Sequence, residues 1–157
     1  MAPPIQKNSA QKQASTAAQA AAPVLARVLC VDDNLDLTSV MQLIIAAYPD
    51  LQCVGCLPSA DDLVTHIASL NAVANPAPLI VLLDATMPGK DPLVALRELS
   101  KAFPDVRTIV HSGREDAAFI DRATQAGAWG CLSKREEPDA ILHAIRRAAA
   151  EPRVSPQ

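Results

Sequence analysis

The chain has 157 residues, half of them apolar and a fifth charged, with few aromatic side chains (Tyr48, Phe103, Phe119 and Trp129). That composition suits one globular domain and excludes wholesale disorder. Fourteen Lys plus Arg against 17 Asp plus Glu leave a net charge of -3, so a strongly basic nucleic-acid footprint is absent. No apolar run approaches the roughly 18 residues of a membrane span.

Residues 1–24 are rich in Ala, Gln, Ser, Lys and Pro and nearly lack large apolar side chains. They read as a disordered N-terminal arm, and they carry no uninterrupted apolar core of a secretory signal. From residue 25 to 150 apolar blocks alternate with helix-period segments. Strands are expected at Arg27–Val31, Gln52–Leu57, Leu79–Asp84, Arg107–His111 and Gly130–Ser133. Leu79–Leu83 is a continuous apolar run, as in a strand covered on both faces.

Between the strands lie five helical stripes: Leu37, Val40, Met41, Ile44 and Ile45; Leu63, Ile67 and Leu70; Leu93, Leu96, Leu99 and Phe103; Phe119, Ile120, Ala123 and Ala126; and Ile141, Leu142, Ile145, Ala148 and Ala149. Pro49, Pro104 and Gly127 punctuate the first, third and fourth helices. Strict β–α alternation implies an α/β domain, a parallel sheet with helices on both faces. Residues 151–157, with two prolines, read as a linker stub or tail.

The four cysteines (Cys30, Cys53, Cys56 and Cys131) all fall in strand-like blocks. Cys53 and Cys56 form a C-x-x-C, but residues three apart on a regular strand point to opposite faces, which makes a shared metal awkward. All four are therefore expected to be buried structural thiols, in keeping with a reducing, cytoplasmic location.

In a doubly wound sheet the functional crevice lies at the carboxyl ends of the strands. The first strand stops at Asp32-Asp33, the third at Asp84, the fourth at Ser112-Gly113 and the fifth at Ser133-Lys134. Three carboxylates, a hydroxyl and an ammonium thus converge on one pocket. Crowded carboxylates repel unless a cation joins them, and hard oxygen ligands suit Mg²⁺. Such a site can accept a phosphoryl group, with Asp84 as covalent acceptor because it closes the most buried strand. Singly, each residue has a plainer reading: Asp32 or Asp33 as helix N-cap in rivalry with Asn34 and Asp36, Ser112 as cap, Lys134 as a solvated charge.

The segments Val28–Asn34, Leu82–Gly89, Val110–Gly113 and Ala126–Lys134 resemble, in order and spacing, the receiver domain of bacterial two-component response regulators. The resemblance covers about residues 26–150. It implies a flavodoxin-like (βα)5 fold, a doubly wound five-stranded parallel sheet of strand order 2-1-3-4-5. It also implies that Asp84 takes phosphate from a sensor histidine kinase or phosphotransfer protein. Asp33, Asp84 and the main-chain carbonyl of Thr86 would bind Mg²⁺, with Asp32 holding metal-bound water. Lys134 would contact the phosphoryl group, and Ser112 would be the switch hydroxyl that shifts the fourth helix and fifth strand. A homodimer through the fourth helix, fifth strand and fifth helix is compatible with this resemblance, as is a signalling surface there. The segment itself is expected to touch neither nucleic acid nor membrane.

The sequence departs from the family pattern in places. Cys131 stands where many receivers carry an aromatic switch residue, Trp129 lies two residues earlier, and Arg135 replaces the proline common after the lysine. Phe103–Pro156 looks most like LuxR/NarL-type receivers, which usually precede a DNA-binding domain, so the chain is expected to be either a stand-alone receiver or part of such a regulator. Two other readings compete: a receiver signalling by binding without phosphorylation, and an aspartate-nucleophile phosphatase. The phosphatase class places a second Asp two residues after the nucleophile, where this chain has Thr86, which cannot donate a carboxylic proton. A nucleotide-binding domain ranks last, because no G-x-G-x-x-G follows the first strand.

Overall fold

A computed structural model describes residues 23–151. The arm expected over 1–24 and the stub over 151–157 lie almost wholly outside the described residues. Within them the elements run β1 (Ala26–Val31), α1 (Leu35–Ala46), β2 (Leu51–Leu57), α2 (Leu63–Asn71), β3 (Leu79–Asp84), α3 (Pro92–Ala102), β4 (Arg107–Ser112), α4 (Ala117–Ala126), β5 (Gly130–Ser133) and α5 (Pro138–Ala150). The strands pair in parallel in the order β2-β1-β3-β4-β5. The α/β alternation and the doubly wound topology are as expected, and strand ends move by no more than a residue.

Local chemistry sets the helix starts. The Asn34 side chain accepts from the Leu37 N–H at 3.1 Å and caps α1. Asp91 caps α3 through the Leu93 N–H, with Pro92 in the first turn. Asp116 caps α4 through the Phe119 N–H at 2.9 Å. Each such cap satisfies a backbone donor that the helix leaves free. The fourth helix ends at Gly127 in the left-handed region (φ 111°), where a Cβ would also collide with Ser100 Oγ.

Two apolar layers flank the sheet. On one face α2, α3 and α4 bury Leu63, Ile67, Leu96, Leu99 and Phe119 against Leu29, Val31, Val81, Leu83 and Val110. On the other α1 and α5 bury Met41, Ile45, Ile141, Leu142 and Ile145 against Val28, Cys30, Ile80, Leu82 and Ile109. Each fully buried Leu or Ile contributes about 1.5–3 kcal/mol. Arg146 on α5 makes a paired contact with Asp50 (2.8 and 3.0 Å) and lies over the Tyr48 ring, tying α5 to the turn before β2.

Two expectations about side-chain facing fail. Val40 and Ile120 share the apolar period of their helices yet are 51% and 38% exposed. They sit at the margins of stripes whose centres already fill the space over the sheet. More consequential is β2. Its register against β1 runs Val28↔Cys53, then Leu29↔Gly55 and Cys30↔Cys56, so Val54 is a bulged residue. One extra residue restores the side-chain parity that a C-x-x-C would break. Cys53 and Cys56 therefore share a face with each other and with Cys30, against the expectation of opposite faces.

Candidate functional site

The carboxyl edge of the sheet gathers the groups that the strand ends carry. Asp32 follows β1, Asp84 closes β3, and both are nearly buried, at 6% and 4% exposure. Asp33 is exposed, and one carboxylate oxygen from each of Asp32, Asp33 and Asp84 lies within 4.8 Å of the others. Lys134, just after β5, reaches over the sheet edge: its Nζ stands 2.8 Å from Asp32 Oδ2 and 3.2 Å from Asp84 Oδ1. The Thr86 N–H donates to Asp84 Oδ1 at 3.3 Å, and the Asn34 N–H donates to Asp32 Oδ1 at 2.9 Å.

The plainer readings of these residues do not match the geometry. Asn34, not Asp32 or Asp33, caps α1. Asp116, not Ser112, caps α4. Lys134 is only partly exposed and is held by two carboxylates. Ser112 is buried and joins the group through its main chain, its carbonyl accepting from the Lys134 N–H at 2.9 Å. Its hydroxyl accepts from the Arg114 N–H at 2.9 Å. By strand alternation its side chain shares the α2–α4 side with Val110, whereas Asp84 faces α1 and α5 with Leu82.

The electrostatics are unbalanced. Burial and the nearby Asp32 charge push the Asp84 carboxyl above the usual carboxylate range, against the pull of Lys134 and the Thr86 N–H. Burial works against a charged Lys134, but its hydrogen bonds to Asp32 and Asp84 outweigh it, and the net shift is upward. One ammonium thus faces three carboxylates. An all-oxygen donor set with excess negative charge is the chemistry of a hard divalent cation, and Asp32, Asp33 and Asp84 could hold Mg²⁺.

One residue of the pocket escaped the sequence reading. His111 is Asp84's register partner on β4, is 5% exposed, and has an Nε2 without a hydrogen-bond partner. Burial, aided by the Lys134 charge and opposed by Asp32, lowers its pKa below that of a free imidazole. It lines a cavity of about 10 Å³ with Cys30, Asp32, Thr38 and Asp84. The signal available in the sequence was an imidazole at the end of the fourth strand, two positions after Ile109 and so on the parity that faces Asp84.

Fold and pocket together define a signalling receiver: a parallel (βα)5 sheet whose carboxyl edge gathers three Asp and one Lys. The family model "Response regulator receiver domain" matches residues 28–146, and the chain belongs to that family, a receiver domain of two-component signalling. It is 33% identical over 132 residues to the response regulator GacA of Pseudomonas protegens, covering 83% of this chain and 59% of that one. It is 30% identical over 125 residues to the nitrate/nitrite response regulator protein NarL of Escherichia coli K12, covering 80% and 55%. The chain thus spans somewhat more than half the length of these relatives. Among solved structures it is similar to the response regulator domain of Thermotoga maritima CheB (TM-score 0.69, 27% identity, 83% of this chain and 98% of that one). Among the described residues no helix is long and apolar enough to cross a membrane.

Proposed function

We propose that this receiver is a phosphorylation switch with Asp84 as its acceptor. The supporting observation is the Lys134 ammonium between Asp32 and Asp84, beside an acceptor carboxylate that is nearly buried but flanked by an exposed Asp33. An Asp84 oxygen attacks the phosphorus of a phosphohistidine on a sensor kinase or phosphotransfer protein. The new P–O bond forms as the P–N bond to imidazole breaks, and the imidazole keeps the electron pair and takes up a proton. Asp32, Asp33, Asp84 and the main-chain carbonyl of Thr86 would hold Mg²⁺, whose chemistry here is to screen the anionic nucleophile from the anionic donor.

Lys134 then exchanges part of its contact with Asp84 for the phosphoryl oxygens. The Ser112 hydroxyl, held now by the Arg114 N–H, turns toward the same oxygens and draws the β4–α4 turn with it. The readout is the α4-β5-α5 surface, through which a homodimer would form. Cys131 stands at the aromatic switch position and packs, half-buried, against the α2–α4 layer, so no ring swings there. This segment is a switch rather than a turnover enzyme, works in the cytoplasm, and contacts neither nucleic acid nor membrane itself. The output read from that surface would be control of transcription, by likeness to a relative from Brevibacillus brevis named "Transcriptional regulatory protein DegU".

The test is phosphoryl uptake from acetyl phosphate. The protein takes up one phosphoryl group with Mg²⁺ present and none with chelator, and Asp84→Asn abolishes uptake. Labelling of that variant at the wild-type level would refute Asp84 as acceptor. Signal output by the wild-type protein with no uptake at all would favour binding without phosphorylation.

A further inference from the structure

The bulge in β2 has a chemical consequence. Cys30 is 3% exposed on β1, while Cys53 and Cys56 are half-buried on the edge strand β2, and all three thiols are free. The insertion of Val54, with Gly55 at a φ of 156° beside it, turns Cys53 and Cys56 to the α1 side of the sheet. There one sulfur from each of Cys30, Cys53 and Cys56 lies within 4.8 Å of the other two. Three sulfurs around a common metal at about 2.3 Å would be some 3.8–4 Å apart, within reach of small side-chain rotations.

We propose that Cys30, Cys53 and Cys56 form a binding site for a soft, thiolate-preferring metal ion of the class of Cu⁺ and Zn²⁺. The donor set is sulfur alone: among the described residues no imidazole or carboxylate belongs to the group, which disfavours hard cations such as Mg²⁺. Two ligands come from one strand and one from its paired neighbour, so the backbone fixes their spacing before any ion arrives. The partial exposure of Cys53 and Cys56 on an edge strand gives an ion its way in. Buried thiols placed only for packing have no need to converge. Here convergence depends on a bulge that interrupts an otherwise regular ladder, and bulges serve to re-aim side chains. On binding, each coordinating thiol gives up its proton to solvent and donates a sulfur lone pair to the ion, with no change of oxidation state.

The site shares no ligand with the acid pocket and prefers a different class of ion, although Cys30 also lines the small cavity beside Asp32 and Asp84. The thiol variants leave all three Asp and Lys134 in place, so the two readings are tested separately. The test titrates the reduced full-length protein without oxygen, in separate arms with Cu⁺ and with Zn²⁺, each against a chromophoric chelator. The proposal expects one equivalent of at least one ion to be withdrawn from the chelator, with release of protons. Cys53→Ser and Cys56→Ser should each weaken retention by at least about tenfold, whereas Cys131→Ser, whose thiol packs on the opposite face, should match wild type. Failure of wild type to retain either ion would overturn the proposal. So would equal retention by a folded Cys53→Ser/Cys56→Ser double variant, with folding checked by thermal melting.

Discussion

The two faces of the sheet are built from different chemistry. The side under α2, α3 and α4 is aliphatic with two phenyl rings, Phe119 and the partly buried Phe103, and its strand residues Leu29, Val31, Val81, Leu83 and Val110 only fill space. The side under α1 and α5 starts as a core at Val28, Ile80 and Ile109 and turns polar toward the strand ends. There Cys30, Asp32, Asp84 and His111 line one small cavity. The same alternation that makes a sheet two-faced lets one sequence hold a rigid hydrophobic layer and a titratable one a residue apart. Both layers bury apolar side chains, but the groups that respond to ions and pH lie in the second.

That contrast gives an ordered set of expectations. Leu96→Ala, at a fully buried position of the aliphatic side, should cost about 2–5 kcal/mol. The loss should be the same from mildly acidic to mildly alkaline pH in urea unfolding. A strongly pH-dependent loss would break the contrast.

Lys134→Ala, which leaves Asp32 and Asp84 facing each other without their cation, should cost roughly 1–3 kcal/mol at neutral pH. Because the Lys134 pKa is raised, its stabilisation is complete below the unfolded lysine value and disappears as pH rises through the folded one. The variant and wild type should converge in alkali, and unfolding curves across pH would reveal it.

Asp84→Asn should move the other way. The raised Asp84 pKa means that its ionised form is worse tolerated folded than unfolded, so the associated stability holds in acid and is lost as pH rises through the raised value. At neutral pH the variant should be more stable by on the order of 1 kcal/mol, a gain that vanishes in acid, where both are neutral. The smallest effect belongs to Leu43→Ser on the outer side of α1. That side chain is 74% exposed, and the melting temperature should barely change.

Most of the architecture was readable because strand and helix periods are local properties. Leu79–Asp84 and Leu93–Leu99 declare their type without any partner. The convergence of Asp32, Asp33, Asp84 and Lys134 was readable for a topological reason: parallel strands all end on one edge. What stayed hidden depends on pairing. The facing of Cys53 and Cys56 is decided by a bulge opposite Val28 and Leu29; Gly55 inside the strand was a local hint of a bulge, but it does not say which residue is extra. The exposure of Val40 depends on how α1 rolls on the sheet, and the pocket role of His111 depends on its lying beside Asp84 on the neighbouring strand.

The central claim is that phosphate is carried by one particular carboxylate, and chemical trapping locates it most directly. The protein is loaded from acetyl phosphate with Mg²⁺, reduced with borohydride to convert the acyl phosphate to an alcohol, and mapped by peptide mass spectrometry. The account predicts reduction at residue 84 alone, and only when Mg²⁺ is present. Reduction at Asp32 or Asp33, or the same yield at residue 84 in chelator, would contradict it.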